Sequence, residues 1–84
     1  MNFADLPTPA VLVDKPRLLI NIEKMQRAAT AAGILLRPHA KTHKSVTIAR
    51  YQIDAGAVGI TVATAGEAEV FADHGISNIR IAYP

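Results

Sequence analysis

Three times in this chain a glycine behind a small or acidic residue is followed, within about three residues, by an aliphatic run. "AAG" (Ala31–Gly33) leads into "ILLRPHAK", "DAG" (Asp54–Gly56) into "AVGITVAT", and "DHG" (Asp73–Gly75) into "ISNIRIAY". A glycine after an amphipathic stretch is a helix terminator, and a β-branched run just beyond it is a strand. The expected strand starts, near Ile34, Val58 and Asn78, lie roughly 20 to 24 residues apart, which is a strand, a helix and two short connections. Such units form right-handed βαβ crossovers and a parallel sheet.

The intervening stretches are helical. Asp14 is a good N-cap, and Pro16 is tolerated in a first turn whose N–H groups have no helical acceptor. Leu18, Ile22, Met25 and Ala29 then recur as one stripe, and Gly33 closes that helix. "SVTIARYQIDAG" puts Val46, Ala49 and Ile53 on one face, and "AGEAEVFADHG" does so for Ala68, Phe71 and Ala72. Thr64, three residues before Glu67, reads as a capping box. "AVLVD" (Ala10–Asp14) is a short aliphatic run after the turn-forming "LPTP".

Parallel sheets are covered on both faces, which leaves a doubly wound sheet or part of a (β/α)8 barrel. A whole barrel takes about 250 residues, whereas this chain has 84. It is expected to be the amino-terminal portion of a larger α/β structure, holding about three βα units. Half of the residues are hydrophobic and 19% are charged, a globular composition and not that of a disordered chain. With no cysteine, disulfides and thiolate metal sites are excluded. No apolar run approaches the ~20 residues of a membrane span, and acidic Asp5 replaces the basic start of a signal peptide. A soluble, cytoplasmic protein is the expectation.

"ILLRPHAKTHKS" (Ile34–Ser45) concentrates the cations. Side chains alternate along a strand, so Leu36, Pro38 and Ala40 share an apolar face suited to packing under helices. Leu35, Arg37, His39 and Lys41 share the other face, with Lys41 at the carboxyl end, where α/β folds bind ligands. One reading is a solvated basic patch at a sheet edge. Nucleic acid is not expected, because the net charge is only +2 and no aromatic residue is interleaved. His39 and His43 straddle a strand end and do not form a helical metal pair. The other reading is chemical. A lysine amine becomes nucleophilic when desolvated or crowded by cations such as Arg37, His39 and Lys44. It can then form an imine with an aldehyde, as pyridoxal phosphate enzymes require.

The stretch "RPHAKTHK" resembles the lysine motif of the D-threonine aldolase and D-serine dehydratase family, relatives of alanine racemase with an amino-terminal pyridoxal phosphate barrel. "LPTPAVLVD", "LLINIEKMQ" and "AGAVGITVATAGEAEVFADHGISNIRIAYP" agree in the same order, so the resemblance spans almost the whole chain. It implies an alanine racemase-type barrel over residues 14–84, with residues 1–13 belonging to, or leading from, a second, mostly β domain. The family's Schiff-base lysine falls on Lys41, with Lys44 the runner-up by proximity. His39, two residues beneath Lys41, is expected to make a supporting contact to the cofactor. Thr64 and Tyr83, at the expected strand ends, are further candidates for facing the same region, with the capping box the preferred reading of Thr64. The resemblance further implies a lyase acting on small D-configured β-hydroxy amino acids, by dehydration or aldol cleavage. It implies a divalent metal, zinc or manganese, whose ligands lie outside this chain, and suggests a homodimer. The family's phosphate loops and metal ligands fall in later segments, so activity is expected of a longer protein. A non-catalytic pyridoxal phosphate carrier and a structural βα module are the alternatives.

Overall fold

A computed structural model describes residues 12–82. Its elements run α1 (Lys15–Ala31), α2 (Val46–Asp54), β1 (Ile60–Val62), α3 (Ala65–Asp73) and β2 (Ile79–Ile81). Each helix starts where the sequence supplies a side-chain acceptor. Asp14, Ser45 and Thr64 are the N-caps, accepting from the N–H groups of Arg17, Ile48 and Glu67. Each such cap satisfies one of the donors that a first turn leaves free, worth about 1 kcal/mol. Gly33 follows the α1 C-cap with φ 71°, a left-handed conformation that only glycine adopts without steric cost.

β1 and β2 pair in parallel, with Ile60, Thr61 and Val62 opposite Ile79, Arg80 and Ile81. The expected first strand is present only as an extended segment, 34–40, beside β1. A single bridge joins His39 to Thr61: the Thr61 N–H donates to the Pro38 carbonyl (2.8 Å) and the Ala40 N–H to the Thr61 carbonyl (2.7 Å). A regular ladder would next use the N–H of residue 38, which proline lacks. The Leu36 carbonyl is taken instead by the Val58 N–H (3.0 Å), one residue out of step, so the ladder breaks.

The segment, β1 and β2 are therefore neighbours in chain order, and the helices lie on one side of them. Ala40, Ala49, Ile60, Val62, Phe71 and Ile76 form the buried core, with Val46, Ile53, Ala68 and Ile79 packed against it. Ile60 and Val62 share one face of β1, and residues from both α2 and α3 cover that face. A doubly wound sheet would place its helices on both faces; none of the described helices crosses over. α1 joins α2 through the Lys15 ammonium, 5.4 Å from the centre of the Tyr51 ring.

The expected faces hold with two exceptions. Met25, in the α1 stripe, is 59% exposed beside an open apolar crease lined also by Ile22, Leu36 and Pro38. Ala72 is exposed, and Phe71 and Ala68 alone carry the α3 contact. Of the "AVLVD" run, Ala10 and Val11 lie outside the described residues, and Leu12 and Val13 form no strand. No helix among the described residues is long and apolar enough to cross a membrane.

Candidate active site

The face of the sheet away from the helices carries the polar residues. His39 is opposite Thr61, and Thr61 opposite Arg80, so the three side chains form one row across three neighbouring strands. Ala40, the next residue along, is 0% exposed in the core, which fixes the facing of the whole segment.

Beyond Ala40 the chain turns. The Lys44 N–H donates to the Ala40 carbonyl (2.8 Å), closing one helical turn over 40–44, and Lys44 leaves it with φ 50°. Lys41, the first residue after the segment, is exposed at the carboxyl end of the extended run. Its N–H donates to Nδ1 of His39 at 3.1 Å, so the backbone at Lys41 leans over the same face as the His39 ring. A backbone N–H can only donate, so Nδ1 is the acceptor and the neutral ring carries its proton on Nε2. That Nε2–H makes no hydrogen bond among the described residues.

His43 repeats the device. Its Nδ1 accepts from the Ser45 N–H (2.8 Å), and its Nε2, 3.3 Å from Gln52 Oε1, is the donor there. Burial lowers its pKa below the ordinary histidine value, with the Gln52 bond opposing in part. Both ring nitrogens are engaged in holding the turn on α2. Among the described residues no three histidine, cysteine, aspartate or glutamate side chains stand close enough to hold a metal ion.

Arg37 does not stand beside Lys41. Its Nη1 donates to Asn78 Oδ1 (2.7 Å), the Asn78 carbonyl (3.3 Å) and the Ile60 carbonyl (3.4 Å). These groups lie at the amino ends of β1 and β2, about 10–13 Å down-strand of Lys41 at 3.3 Å per residue. The expectation that Arg37 crowds the lysine is thereby corrected: the carbonyls at the strand starts offer it closer acceptors. Thr64 serves as the α3 cap, its Oγ1 accepting from the Glu67 N–H at 3.2 Å and donating to Glu67 Oε2 at 3.4 Å. Lys44 is exposed on the far side of the turn, and Tyr83 lies outside the described residues. Sequence reasoning missed Gln52 and Asn78. The only available signal was a polar residue inside an apolar pattern, and it does not name a partner.

No family model matches the chain. D-threo-3-hydroxyaspartate dehydratase of Delftia sp. (strain HT23) is 49% identical over 77 residues, covering 92% of this chain. D-threonine aldolase of Arthrobacter sp. is 38% identical over 78 residues, covering 93%. D-serine dehydratase of Dictyostelium discoideum is 38% identical over 72 residues, covering 80%. Those matches take in 20%, 21% and 18% of the relatives, so the chain spans about a fifth of their length. Among solved structures, the Delftia dehydratase superposes with a TM-score of 0.84 over 89% of this chain and 20% of its own, at 49% identity. D-threonine aldolase from Filomicrobium marinum superposes with a TM-score of 0.85 over 92% of this chain and 21% of its own, at 42% identity. Sequence and fold agree in placing the chain among the homologues of the D-threonine aldolases and D-serine dehydratases, the family its lysine motif resembles.

Proposed function

We propose that the chain is the cofactor-anchoring part of a pyridoxal phosphate-dependent lyase of D-configured β-hydroxy amino acids, with Lys41 as the covalent anchor. The observation that carries this reading is the position of Lys41, at the carboxyl end of a parallel segment with its backbone bonded to the His39 ring. The residue is exposed among the described residues, so the desolvation a nucleophilic lysine needs would come from the parts of the protein that complete the site. The described residues suit the cofactor at that point. The Lys41 amine has no ion-pair partner among them, and His39 Nε2–H is a free donor one layer beneath. The phosphate cradle and the metal ligands would come from other parts of the protein, and a metal-free form of a D-threo-3-hydroxyaspartate dehydratase variant has been solved.

In this reading residues 14–84 are the first wall of an alanine racemase-type barrel, because strands adjacent in chain order with helices on one side are how such a wall is built. Residues 1–13 lead from the second domain. When bound, the cofactor supplies an electron sink for charge developing at the substrate Cα. Lys41 would hold the cofactor through its Nζ, and that amine, once the substrate amine had taken its place, would stand where it could take the Cα proton. His39 donates from below and orients. Of the two branches we favour loss of the β-hydroxyl, giving a keto acid and ammonia, on the 49% identity to D-threo-3-hydroxyaspartate dehydratase, with aldol cleavage as the alternative, since aldolase relatives reach 42%.

The test is borohydride reduction of the complete gene product purified with pyridoxal phosphate, followed by peptide mass mapping. The pyridoxyl mass is expected on Lys41, and the visible absorbance of the bound cofactor is expected to vanish in Lys41→Ala. Label on Lys44, or absorbance that survives Lys41→Ala, overturns the assignment. Turnover of D-threo-3-hydroxyaspartate, D-serine and D-threonine, with and without chelator, then separates keto acid from glycine as product. No turnover by a cofactor-loaded protein would favour the non-catalytic carrier.

A further inference from the structure

We infer that Arg37 is the positioning residue of the lysine-bearing segment: by bracing three neighbouring strands at their amino ends, it sets the register at which Lys41 emerges. The inference rests on the proposed role of Lys41, but its central measurement does not.

The need for a brace follows from Pro38. Where the ladder between the segment and β1 breaks, three backbone bonds remain, and one of them is out of step. A strand so weakly specified is prone to slip, and a slip of one residue would turn His39 toward the helices and Ala40 away from them. Arg37 supplies what the backbone lacks. Its Nη1 reaches past β1 to Asn78, 41 residues away in sequence, and bonds Asn78 Oδ1 at 2.7 Å with one proton, while the Asn78 and Ile60 carbonyls share the other at 3.3 and 3.4 Å. Donation from a charged group to several acceptors is stronger than a neutral ladder bond.

The gap that admits the guanidinium is also specified. A Cβ on Gly59 would lie 2.2 Å from the Asn78 carbonyl oxygen and 2.8 Å from Arg37 Nη1. The first approach is to backbone, which cannot rotate away; the second would push the end of the arginine side chain aside. Gly59, Arg37 and Asn78 therefore form one fitted unit at the end of the sheet opposite Lys41. Because a strand is stiff along its axis, fixing residue 37 fixes residues 39 and 41.

The experiment measures amide hydrogen exchange and pyridoxal phosphate affinity in the complete gene product, comparing wild type with Arg37→Met, Arg37→Lys and Asn78→Ala. The N–H groups of Ala40 and Thr61 report the segment, and that of Ala82, bonded to Val62, reports β1–β2. Arg37→Met is expected to lower protection at Ala40 and Thr61 about tenfold or more, the loss of more than one net hydrogen bond, with Ala82 changed far less. Its cofactor affinity should fall in parallel. Arg37→Lys, which keeps one cationic donor, is expected to restore most of both. Asn78→Ala, which keeps the guanidinium but removes its 2.7 Å side-chain acceptor, should reproduce the Met pattern in weaker form, and it decides the matter if Arg37→Met does not accumulate. Equal loss at all three amides, or none, overturns the inference. Selective loss of protection with unchanged affinity overturns the link to Lys41. A wild type without lysine-bound cofactor refutes the proposed function instead, leaving the exchange result to stand alone.

Discussion

His43 offers the sharpest test of how the lysine turn is held. Replacing it with phenylalanine keeps the ring's bulk and removes both hydrogen bonds, to the Ser45 N–H at 2.8 Å and to Gln52 at 3.3 Å. Each such bond contributes about 0.5–1.5 kcal/mol net, and a half-buried N–H left without an acceptor costs about 1–3 kcal/mol. Water can still reach the half-buried turn, so the expected loss is about 2 kcal/mol at pH 7.5. The pH dependence is more diagnostic. The folded-state pKa of His43 lies below its unfolded value of 6.5, chiefly through desolvation. The unfolded chain therefore binds the proton more readily. The stability held at higher pH drains away as pH falls through 6.5 and below the folded value. Protonation also places an Nδ1–H against the Ser45 donor. The assay is urea unfolding of the complete gene product, wild type and His43→Phe, at pH 7.5, 6.5, 5.5 and 5. The gap between the two is expected to narrow steadily on acidification. Parallel stability curves over that range would refute both the neutral-ring assignment and the role of His43 in the turn.

Two further outcomes concern packing and capping. Phe71→Ala, at a position 2% exposed where α3 meets β1, is expected to cost about 3–5 kcal/mol in the same unfolding assay. Thr64→Ala should cost about 1 kcal/mol, while Thr64→Ser changes stability by only a few tenths. Both Thr64 variants are expected to keep cofactor affinity, since the hydroxyl is committed to the helix start.

The helices were legible because their determinants are local. Asp14, Ser45 and Thr64 cap donors three residues away, and Ala49, Ile53 and Phe71 follow a helical period that needs no partner to be seen. The facing of the basic segment was legible too, since alternation around Ala40 has one solution that buries apolar atoms. What escaped is non-local or subtractive. Pro38 deletes a ladder donor, a loss whose effect depends on which carbonyl stands opposite. The partners of Arg37 lie 23 and 41 residues away, so no window along the chain contains both ends. Met25 was assigned to the core by periodicity, yet it borders a crease that none of the described residues fills. His39 and His43 looked like a cation cluster, whereas both rings accept a backbone N–H two residues on. Spacing alone does not separate those uses.

Ala40 and Ala49 are both 0% exposed in one cluster, and this has a mechanical corollary. Two methyl groups are the smallest spacers an L-residue provides, so α2 rides almost directly on the backbone that precedes Lys41. Gln52 grips that turn through His43, and Ser45 joins it to the helix start. The peptide unit of Lys41 is thus bolted to a rod and has no hinge of its own. Whatever distance the amine travels must be covered by torsions of its own four-carbon stem, which makes it a swinging tether on a stationary mount.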